Sequence, residues 1–206
     1  MNHTSLYHPG YLEVILGPMF SGKTSKILEL YKQCTFSNIP VVVINHISDD
    51  RYSDTMLSTH DKQMIPCIKV EKLYDLMIDR ELAEKIHSAK VILINEGQFF
   101  HDLYCWVRDM VDTFRKEVYV CGLDGDSNRE KFGQMLDLIP ICDKVNKLKS
   151  ICSICKNGTR AIFSLRLSNE NQQVLIGSDC YKPVCRICYT ENANDISKIT
   201  NIKECT

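Results

Sequence analysis

The fold of this chain is decided by one stretch, Gly17-Pro18-Met19-Phe20-Ser21-Gly22-Lys23-Thr24. It matches G-x-x-x-x-G-K-[S/T], the pattern of loops that wrap nucleotide phosphates with backbone N–H groups. A strand-like run, residues 12–16, leads into it, and a helix-like run, residues 25–36, follows. This order places the phosphates at the amino end of a helix, where the dipole favours an anion. The stretch therefore predicts a P-loop, and the context makes a chance match the weaker explanation.

Every residue from Gly17 to Thr24 is predicted to contact ATP or its phosphates. The two glycines let the main chain approach the phosphates closely, and the Lys23 ammonium offsets the charge on the β- and γ-phosphates. The Thr24 hydroxyl is a predicted ligand of Mg²⁺.

Composition narrows the class of protein. The chain has 206 residues, 44% of them hydrophobic, and a net charge of −1. This size suits one α/β domain with a small appendage, and the near-neutral charge disfavours nucleic acid or an anionic membrane as a partner. The polar first ten residues do not resemble a secretory signal, and no apolar run reaches the roughly 18 residues that span a bilayer. We therefore expect a soluble, cytoplasmic protein.

The chain contains 11 cysteines. An odd number beside a phosphate loop argues against a disulfide framework, because ATP-handling enzymes work mainly in reducing compartments. Five dispersed cysteines lie among apolar neighbours and are predicted to be small buried hydrophobic residues. They are Cys34, Cys67, Cys105, Cys121 and Cys142. No role is predicted for Cys180 or Cys205.

Short β-branched runs alternate with helix-like stretches, which predicts a doubly wound parallel sheet with ligands at the carboxyl ends of its strands. The predicted strands are 14–16, 41–45, 91–95, 118–121 and, less clearly, 144–148. The predicted helices after the first are 71–77, 81–89 and 102–116. The predicted domains are a P-loop ATP-binding kinase domain at 11–148, a zinc-binding domain at 149–191 and a flexible tail at 192–206.

Two polar residues, Asn95 and Glu96, end the buried run 91–94. A P-loop enzyme usually keeps an Asp that helps to hold Mg²⁺ at this place. Asn95 can accept a water ligand of the metal but supplies no charge. Glu96 is a candidate general base toward an attacking hydroxyl. The alternative is an ordinary surface Glu at a strand end.

Two Cys-x-x-Cys pairs, Cys152/Cys155 and Cys185/Cys188, have the spacing of a tetrahedral zinc site. Four thiolates fill the zinc shell, so the predicted site is structural, and its binding free energy of about 10–16 kcal/mol is enough to fold a small segment. The residues between the pairs predict a β-hairpin with strands at 161–167 and 173–176. A redox pair or plain buried thiols are the alternatives, and the matched spacing disfavours both.

Several further motifs follow in order along the chain. They are Asp50-Arg51-Tyr52, Thr59-His60-Asp61, Glu96-Gly97-Gln98-Phe99-Phe100, Leu123-Asp124-Gly125, Lys131-Phe132-Gly133 and Val184-Cys185-Arg186-x-Cys188-Tyr189. Together with the phosphate loop, they make residues 11–189 resemble the type II thymidine kinases, the family of the cytosolic animal, bacterial and poxvirus enzymes. The resemblance implies a RecA-like P-loop fold and transfer of the ATP γ-phosphate to the 5′-hydroxyl of thymidine, and also of deoxyuridine, for DNA precursor salvage.

The resemblance also implies roles for single residues. Glu96 would accept the proton, with Lys23 and Arg51 near the transferring phosphate, and the zinc-held segment would close over the nucleoside as a lasso. Further ATP or phosphate contacts are implied for Asp49, Asn95 and Gln98, and Asn95 would join Thr24 at Mg²⁺. The implied nucleoside-binding residues are Met19, Phe100, Leu123, Phe132, Ser164, Arg166, Leu175, Gly177 and Tyr181. A homotetramer and feedback inhibition by thymidine triphosphate are implied as well.

Three positions depart from the family pattern. Asn95 replaces a common Asp, Ser127 stands where an aromatic residue often faces the nucleoside, and the lasso is one residue shorter between Gly177 and Tyr181. Without the family, Phe99, Phe100 and Phe132 read as ordinary core residues. Two other functions remain as alternatives: a kinase of another deoxynucleoside, and a nucleic-acid-dependent ATPase or zinc-ribbon binding module.

Overall fold

A computed structural model describes residues 9–49, 55–58, 63–167 and 180–197, the last five of these by backbone alone. The strands are β1 (Tyr11–Leu16), β2 (Val41–His46), β3 (Met56–Ser58), β4 (Met64–Pro66), β5 (Ile68–Val70), β6 (Val91–Ile94), β7 (Glu117–Gly122), β8 (Lys144–Lys147), β9 (Ser150–Ile151), β10 (Arg160–Ala161), β11 (Phe163–Arg166) and β12 (Tyr181–Val184). The α-helices are α1 (Lys23–Phe36), α2 (Asp75–Ile78), α3 (Arg80–Ser88), α4 (Leu103–Arg108) and α5 (Arg186–Ser197).

Six strands form the central sheet in the order β5-β2-β6-β7-β1-β8, and every neighbouring pair is parallel. The predicted α/β class with a central parallel sheet is confirmed. Strand β7 lies between β1 and β6, so the chain segments that follow these three strands emerge at the same edge of the sheet. That edge is where open α/β sheets bind their ligands.

Helices cover both faces of the sheet because the strand side chains alternate between two apolar layers. On one face, Ile15, Val43 and Leu93 pack with Ile27 and Leu28 of α1. The other face packs against α2, α3, α4 and a 3₁₀ segment at Met135–Ile141. Its members include Leu12, Val14, Ile92, Val120, Leu76, Ile86, Trp106 and Leu138.

The predicted helix at 71–77 is confirmed only over its last residues, since α2 starts at Asp75. A helix from residue 71 would pair the Tyr74 N–H with the Val70 carbonyl. The Val70 carbonyl instead accepts the N–H of Ile47 at 3.2 Å, and the Tyr74 N–H donates to the Asp102 carboxylate at 2.9 Å. Because both groups bond to partners elsewhere in the fold, α2 starts about one turn after the predicted residue 71.

The predicted helix at 102–116 is α-helical only over Leu103–Arg108 and continues as a π-helical turn, Asp109–Thr113. The Phe114 N–H donates to the Asp109 carbonyl at 3.1 Å, which is the i→i−5 bond of such a turn. Arg115 has φ +54° and ends the helix in the left-handed conformation. The hairpin β3–β4 and the short strand β5 have no counterpart among the predictions.

The chain after residue 148 differs from the prediction in two places. The first predicted hairpin strand is present as β10 and β11, and β11 pairs antiparallel with β12, while residues 173–176 lie outside the described residues. Helix α5 runs to Ser197 and so includes the first six residues of the segment that was predicted as a flexible tail from 192. Residues 198–206 lie outside the described part of the chain.

The dispersed cysteines only partly meet the expectation of burial. Cys34 and Cys121 are buried, Cys67 and Cys142 are half-buried, and Cys105 is exposed. Cys105 lies on the outer side of α4, so its prediction was wrong. In the ranges described by the structure, none of the helices is both long and apolar enough to cross a bilayer.

Replacing Trp106 tests the packing of the larger layer. Its side chain is fully buried, so we expect Trp106→Ala to lower the free energy of unfolding by about 3–5 kcal/mol. Phe36 is the matched control because it is 90% exposed, and Phe36→Ala should change the stability by less than about 0.5 kcal/mol. Urea unfolding followed by far-UV circular dichroism measures both. Equal effects of the two variants would contradict the assignment of Trp106 to the core.

Candidate functional site

The loop between β1 and α1 adopts a conformation that depends on glycine. Gly17 and Gly22 have φ values of +151° and +87°, and a Cβ atom on Gly17 would lie 2.8 Å from the Leu148 carbonyl oxygen. Phe20 also has a positive φ, +61°. These turns fold the loop over the start of α1, which begins at Lys23.

The loop holds the Lys23 side chain over its own backbone. Nζ donates to the carbonyl oxygens of Gly17 at 2.9 Å and Pro18 at 2.8 Å. Ser21 Oγ is buried and has no hydrogen-bond partner in the described ranges. Thr24 is half-buried in the first turn of α1. The loop thus combines an ammonium, an orphaned hydroxyl and a helix amino terminus, and these three features suit a phosphate group.

Glu96 follows β6 in the left-handed conformation, with φ +54° and ψ +41°. This conformation costs a non-glycine residue on the order of 1–2 kcal/mol, and such strain concentrates at functional sites. Glu96 is the first residue of a turn at residues 96–100, here named the Glu96 turn. The centre of this turn is a 3₁₀ segment at Gly97–Phe99.

Gln98 holds the Glu96 carboxylate in place. Its Nε2 donates to Glu96 Oε2 at 2.6 Å, and its Oε1 accepts the Leu123 N–H at 3.0 Å. The Gln98 side chain is buried, with 3% of the residue exposed. Gln98 was predicted to contact a phosphate, and its Nε2 and Oε1 atoms are both hydrogen-bonded within the protein.

Cys121 lies on β7, the strand between β1 and β6. Burial raises the pKa of its thiol; the Lys23 ammonium opposes that rise and the Glu96 carboxylate adds to it. The thiol also lies 3.7 Å from the Lys23 carbonyl oxygen. The segments that carry Lys23 and Glu96 thus follow the two strands that flank β7.

Asn95 is nearly fully buried and joins a chain of polar side chains. Its Nδ2 donates to Asn45 Oδ1 at 3.1 Å, and Asn45 Nδ2 donates to Asp49 Oδ2 at 3.0 Å. Asn45 is the penultimate residue of β2, the sheet neighbour of β6. A carboxylate is thus linked to Asn95 through one amide.

The predicted aromatic walls belong to a ring cluster. His46 contacts Phe99 and Phe100 with centroid distances of 5.4 and 4.8 Å, and Phe99 contacts Phe132 at 5.6 Å. Phe100 is fully buried and forms part of the larger core layer. Burial lowers the pKa of His46, and its Nδ1 accepts the Ser48 N–H at 3.1 Å, so the ring is neutral.

Three predicted nucleoside contacts lie on or beside β11. Ser164 Oγ accepts the Met19 N–H of the phosphate loop at 3.0 Å. Arg166 donates to the Tyr181 hydroxyl at 2.7 Å, and its guanidinium lies 5.4 Å from that ring centroid. Arg51, Leu175 and Gly177 lie outside the described residues.

Four cysteines form a compact cluster. The Sγ atoms of Cys152, Cys155, Cys185 and Cys188 all lie within 4.8 Å of one another. Cys155 Sγ is 3.3 Å from Cys188 Sγ and 3.7 Å from Cys185 Sγ. These separations suit thiolates around one ion of the zinc type, so the four cysteines could hold a structural metal.

The surroundings of Cys152 favour its thiolate form. Burial opposes ionisation, but hydrogen bonds from the N–H groups of Cys155, Cys185 and Ile154 outweigh it and lower the pKa of the thiol to about 6. Hydrogen bonding to Cys155 and burial raise the pKa of Cys188. The Cys152 thiolate is therefore favoured near neutral pH before any metal ion binds. Binding of a metal ion would displace the protons of the other thiols.

Sequence reasoning missed several residues that shape this site. Asn45 and His46 lie at the carboxyl end of β2, a strand that was predicted. Because ligands bind at the carboxyl ends of parallel strands, this placement could have marked both residues as part of the site. Arg129 and the hydroxyl of Tyr189 gave no local signal, because their partners lie far along the chain.

Comparison with known proteins agrees with this geometry. The family model described as thymidine kinase matches residues 10–189. A thymidine kinase of Oryza sativa subsp. japonica is 40% identical over 186 residues, which are 89% of this chain and 68% of that protein.

Poxvirus proteins are similar over nearly their whole length. A thymidine kinase of sheeppox virus is 35% identical over 181 residues, covering 87% of this chain and 97% of that protein. A vaccinia virus (strain Western Reserve) thymidine kinase is 36% identical over 184 residues, covering 89% and 98%. The region that the family model matches contains the phosphate loop, the Glu96 turn and all four clustered cysteines, and the chain belongs to the thymidine kinase family.

Proposed function

We propose that this chain transfers the γ-phosphate of ATP to the 5′-hydroxyl of thymidine, and also of deoxyuridine, in the salvage of DNA precursors. The observation that carries the proposal is that the loop with Lys23 follows β1 and the turn with Glu96 follows β6, the two strands that flank β7 at one edge of the sheet. A cation at a phosphate loop and a carboxylate at the same sheet edge are the two parts that phosphoryl transfer to a hydroxyl needs.

The finer fold assignment is a P-loop domain of the RecA-like type at 11–148. The glycine-dependent loop after β1 supports the P-loop, and the insertion of β7 between β1 and β6 supports the RecA-like order. We place a smaller domain at 149–191, here named the four-cysteine segment. It has its own apolar cluster, which includes Ala161, Leu165 and Val184.

ATP would lie along the loop from Gly17 to Thr24. The Ser21 hydroxyl, buried without a partner in the described ranges, fits a phosphate oxygen. Mg²⁺ bound with ATP supplies charge neutralisation at the phosphates. Thr24 and Asn95 would hold it, and Asp49, linked to Asn95 through Asn45, adds the negative charge that Asn95 lacks.

In the proposed reaction, the residues named above act on the hydroxyl of the nucleoside and on the γ-phosphate of ATP. The 5′-hydroxyl oxygen attacks the γ-phosphorus, the bond from that phosphorus to the β,γ-bridging oxygen breaks, and ADP leaves. Glu96 accepts the hydroxyl proton, with Gln98 fixing the carboxylate through its 2.6 Å hydrogen bond. Lys23 and Arg51 stabilise the charge on the transferring group, since positioned cations are the main source of catalysis in such reactions.

The nucleoside would lie between the Glu96 turn and the four-cysteine segment, which acts as a lasso. Met19, Leu123 and Ser164 would border this space, and the Met19–Ser164 hydrogen bond supports this proposal because it joins two of them. Phe100 and Phe132 support the wall through the ring cluster with His46. The remaining proposed contacts are Arg166, Leu175, Gly177 and Tyr181.

The four-cysteine segment would be folded by zinc. Cys152, Cys155, Cys185 and Cys188 supply a complete tetrahedral shell, so the ion holds the segment together and takes no part in the reaction. We further propose a cytoplasmic homotetramer that is inhibited by thymidine triphosphate and has no nucleic-acid or membrane partner. Family membership supports these last points.

A substrate panel tests the proposed function. We expect phosphate transfer from ATP to thymidine and deoxyuridine, and at least about 100-fold lower kcat/KM for deoxycytidine and purine deoxynucleosides, because a site built to hydrogen-bond one base edge rejects others strongly. Radiolabelled γ-phosphate transfer measures all of them in parallel. ATP hydrolysis stimulated by DNA and indifferent to thymidine would overturn the proposal in favour of a nucleic-acid-dependent ATPase.

Removing the charge of Glu96 tests its role as the base. We expect Glu96→Gln to lower kcat roughly 10²–10⁴-fold because the amide cannot take the proton, while the Kd for ATP stays within about twofold. Glu81→Gln, on the exposed side of α3, is the control and should keep the wild-type rate. Steady-state kinetics and calorimetric ATP titration give the two quantities. A near-normal kcat for Glu96→Gln would rule out general-base catalysis by this residue.

Loss of one clustered thiol tests the metal site. We expect Cys185→Ser to lower the zinc content well below about one ion per chain and to lower Tm in parallel, because metal binding and folding of such sites are coupled. Cys105→Ser, at an exposed cysteine outside the cluster, is the matched control. Atomic absorption and thermal unfolding measure both properties. Unchanged zinc stoichiometry in Cys185→Ser would refute the site.

A further inference from the structure

The loop that follows β7, residues 123–133 and here named the β7 loop, rests at both ends on the Glu96 turn. At its start the Leu123 N–H donates to Gln98 Oε1, and the same side chain holds the Glu96 carboxylate. At its end Gly133 has φ +56°, and a Cβ atom there would lie 2.1 Å from the Gln98 carbonyl oxygen. A shift of this loop would therefore act directly on the residue that fixes Glu96.

The tip of the β7 loop is attached to the four-cysteine segment. The Tyr189 hydroxyl donates to the Ser127 carbonyl oxygen at 2.6 Å. The Arg129 guanidinium lies 4.7 Å from the Tyr189 ring centroid and 5.7 Å from that of Phe163. The rings of Phe163 and Tyr189 themselves contact each other, with centroids 5.1 Å apart. The Tyr189 hydroxyl and the Arg129 guanidinium thus join the tip of the β7 loop to the four-cysteine segment.

Internal hydrogen bonds hold the residues at the tip of the β7 loop together. The buried Asp126 carboxylate accepts the N–H groups of Asn128 at 2.8 Å and Glu130 at 3.0 Å, and Gly125 pairs with Lys131 in a β-bridge. A displacement of Ser127 would therefore shift both ends of the β7 loop.

Tyr189 is itself fixed by the cysteine cluster. It directly follows Cys188, its N–H donates to the Cys185 carbonyl oxygen at 2.9 Å, and its side chain is 5% exposed. It belongs to the small apolar cluster that contains three of the four clustered cysteines. The ring therefore takes its position from the folded state of the four-cysteine segment.

We propose that Tyr189 and Arg129 are positioning residues that clamp the β7 loop to the four-cysteine segment and so hold Leu123 and the Gln98–Glu96 pair in place for the nucleoside. This proposal rests on the proposed function for its assignment of the nucleoside side of the site. The clamp acts on nucleoside binding and on Glu96, and it leaves the phosphate loop unchanged.

Removing the Tyr189 hydroxyl tests the clamp with little disturbance, because Tyr189→Phe keeps the ring and its cation–π contact with Arg129. A buried hydrogen bond is worth about 0.5–1.5 kcal/mol, so we expect KM for thymidine to rise about 3- to 10-fold. KM for ATP, zinc content and Tm should stay close to those of the wild type. Arg129→Met is expected to act in the same direction.

Tyr74→Phe is the matched control. Its hydroxyl donates to Asp109 at 2.8 Å, so this variant also loses one tyrosine hydrogen bond, on a part of the chain outside the proposed site. It should leave both KM values unchanged. A thymidine KM in Tyr189→Phe equal to that of the control overturns the proposal. A parallel rise of the KM for ATP, or a loss of zinc, overturns it as well, because either marks a general structural role.

Amide hydrogen exchange separates this proposal from the proposed function. We expect residues 123–133 to exchange at least about threefold faster in Tyr189→Phe than in the wild type and in Tyr74→Phe. If the wild type transfers no phosphate to thymidine, the proposed function fails, and exchange still decides whether the clamp exists. If the wild type is active but loop exchange is unchanged in Tyr189→Phe, the clamp fails and the proposed function stands.

Discussion

The parallel pairing of β7 with both β1 and β6 is the constraint on which the candidate site depends. It sets Leu16 opposite Gly122 and Ile94 opposite Val120, so the phosphate loop and the Glu96 turn leave the same edge of the sheet one strand apart. The strand between them carries Cys121, which is buried in the apolar layer that packs against α1. A sheet with β1 directly beside β6 would bring the loop and the carboxylate closer, at the expense of the space between them.

Much of the fold could be predicted because its signals are local. The continuous apolar runs at 41–44 and 91–94 are β2 and β6, and the glycine pattern at 17–24 marks a loop that other residues adopt only under strain. The pairing of the four cysteines also followed from spacing. The start of α2 did not, since it depends on Asp102, a partner 28 positions away from Tyr74.

The site was predicted less fully than the fold, for a related reason. The identity of Glu96 was visible in the sequence, but its left-handed backbone and its bond to Gln98 depend on the turn that forms after β6. Gln98 was predicted to contact a phosphate, and no signal in the sequence indicated that its buried amide joins the carboxylate to Leu123, the residue after β7. Asn95 similarly faces Asn45, so the polar link to Asp49 comes from two strands that lie far apart in sequence.

The hydrogen bond from the Met19 N–H to Ser164 Oγ places the four-cysteine segment against the phosphate loop as well as the β7 loop. A body in contact with both loops offers a physical route for coupling between their ligands. If occupation of the phosphate loop alters the affinity for the second ligand by some factor, the second ligand must alter the affinity for the first by the same factor. Any such reciprocal factor would pass through the Met19–Ser164 contact, which is separate from the contact between Tyr189 and the β7 loop.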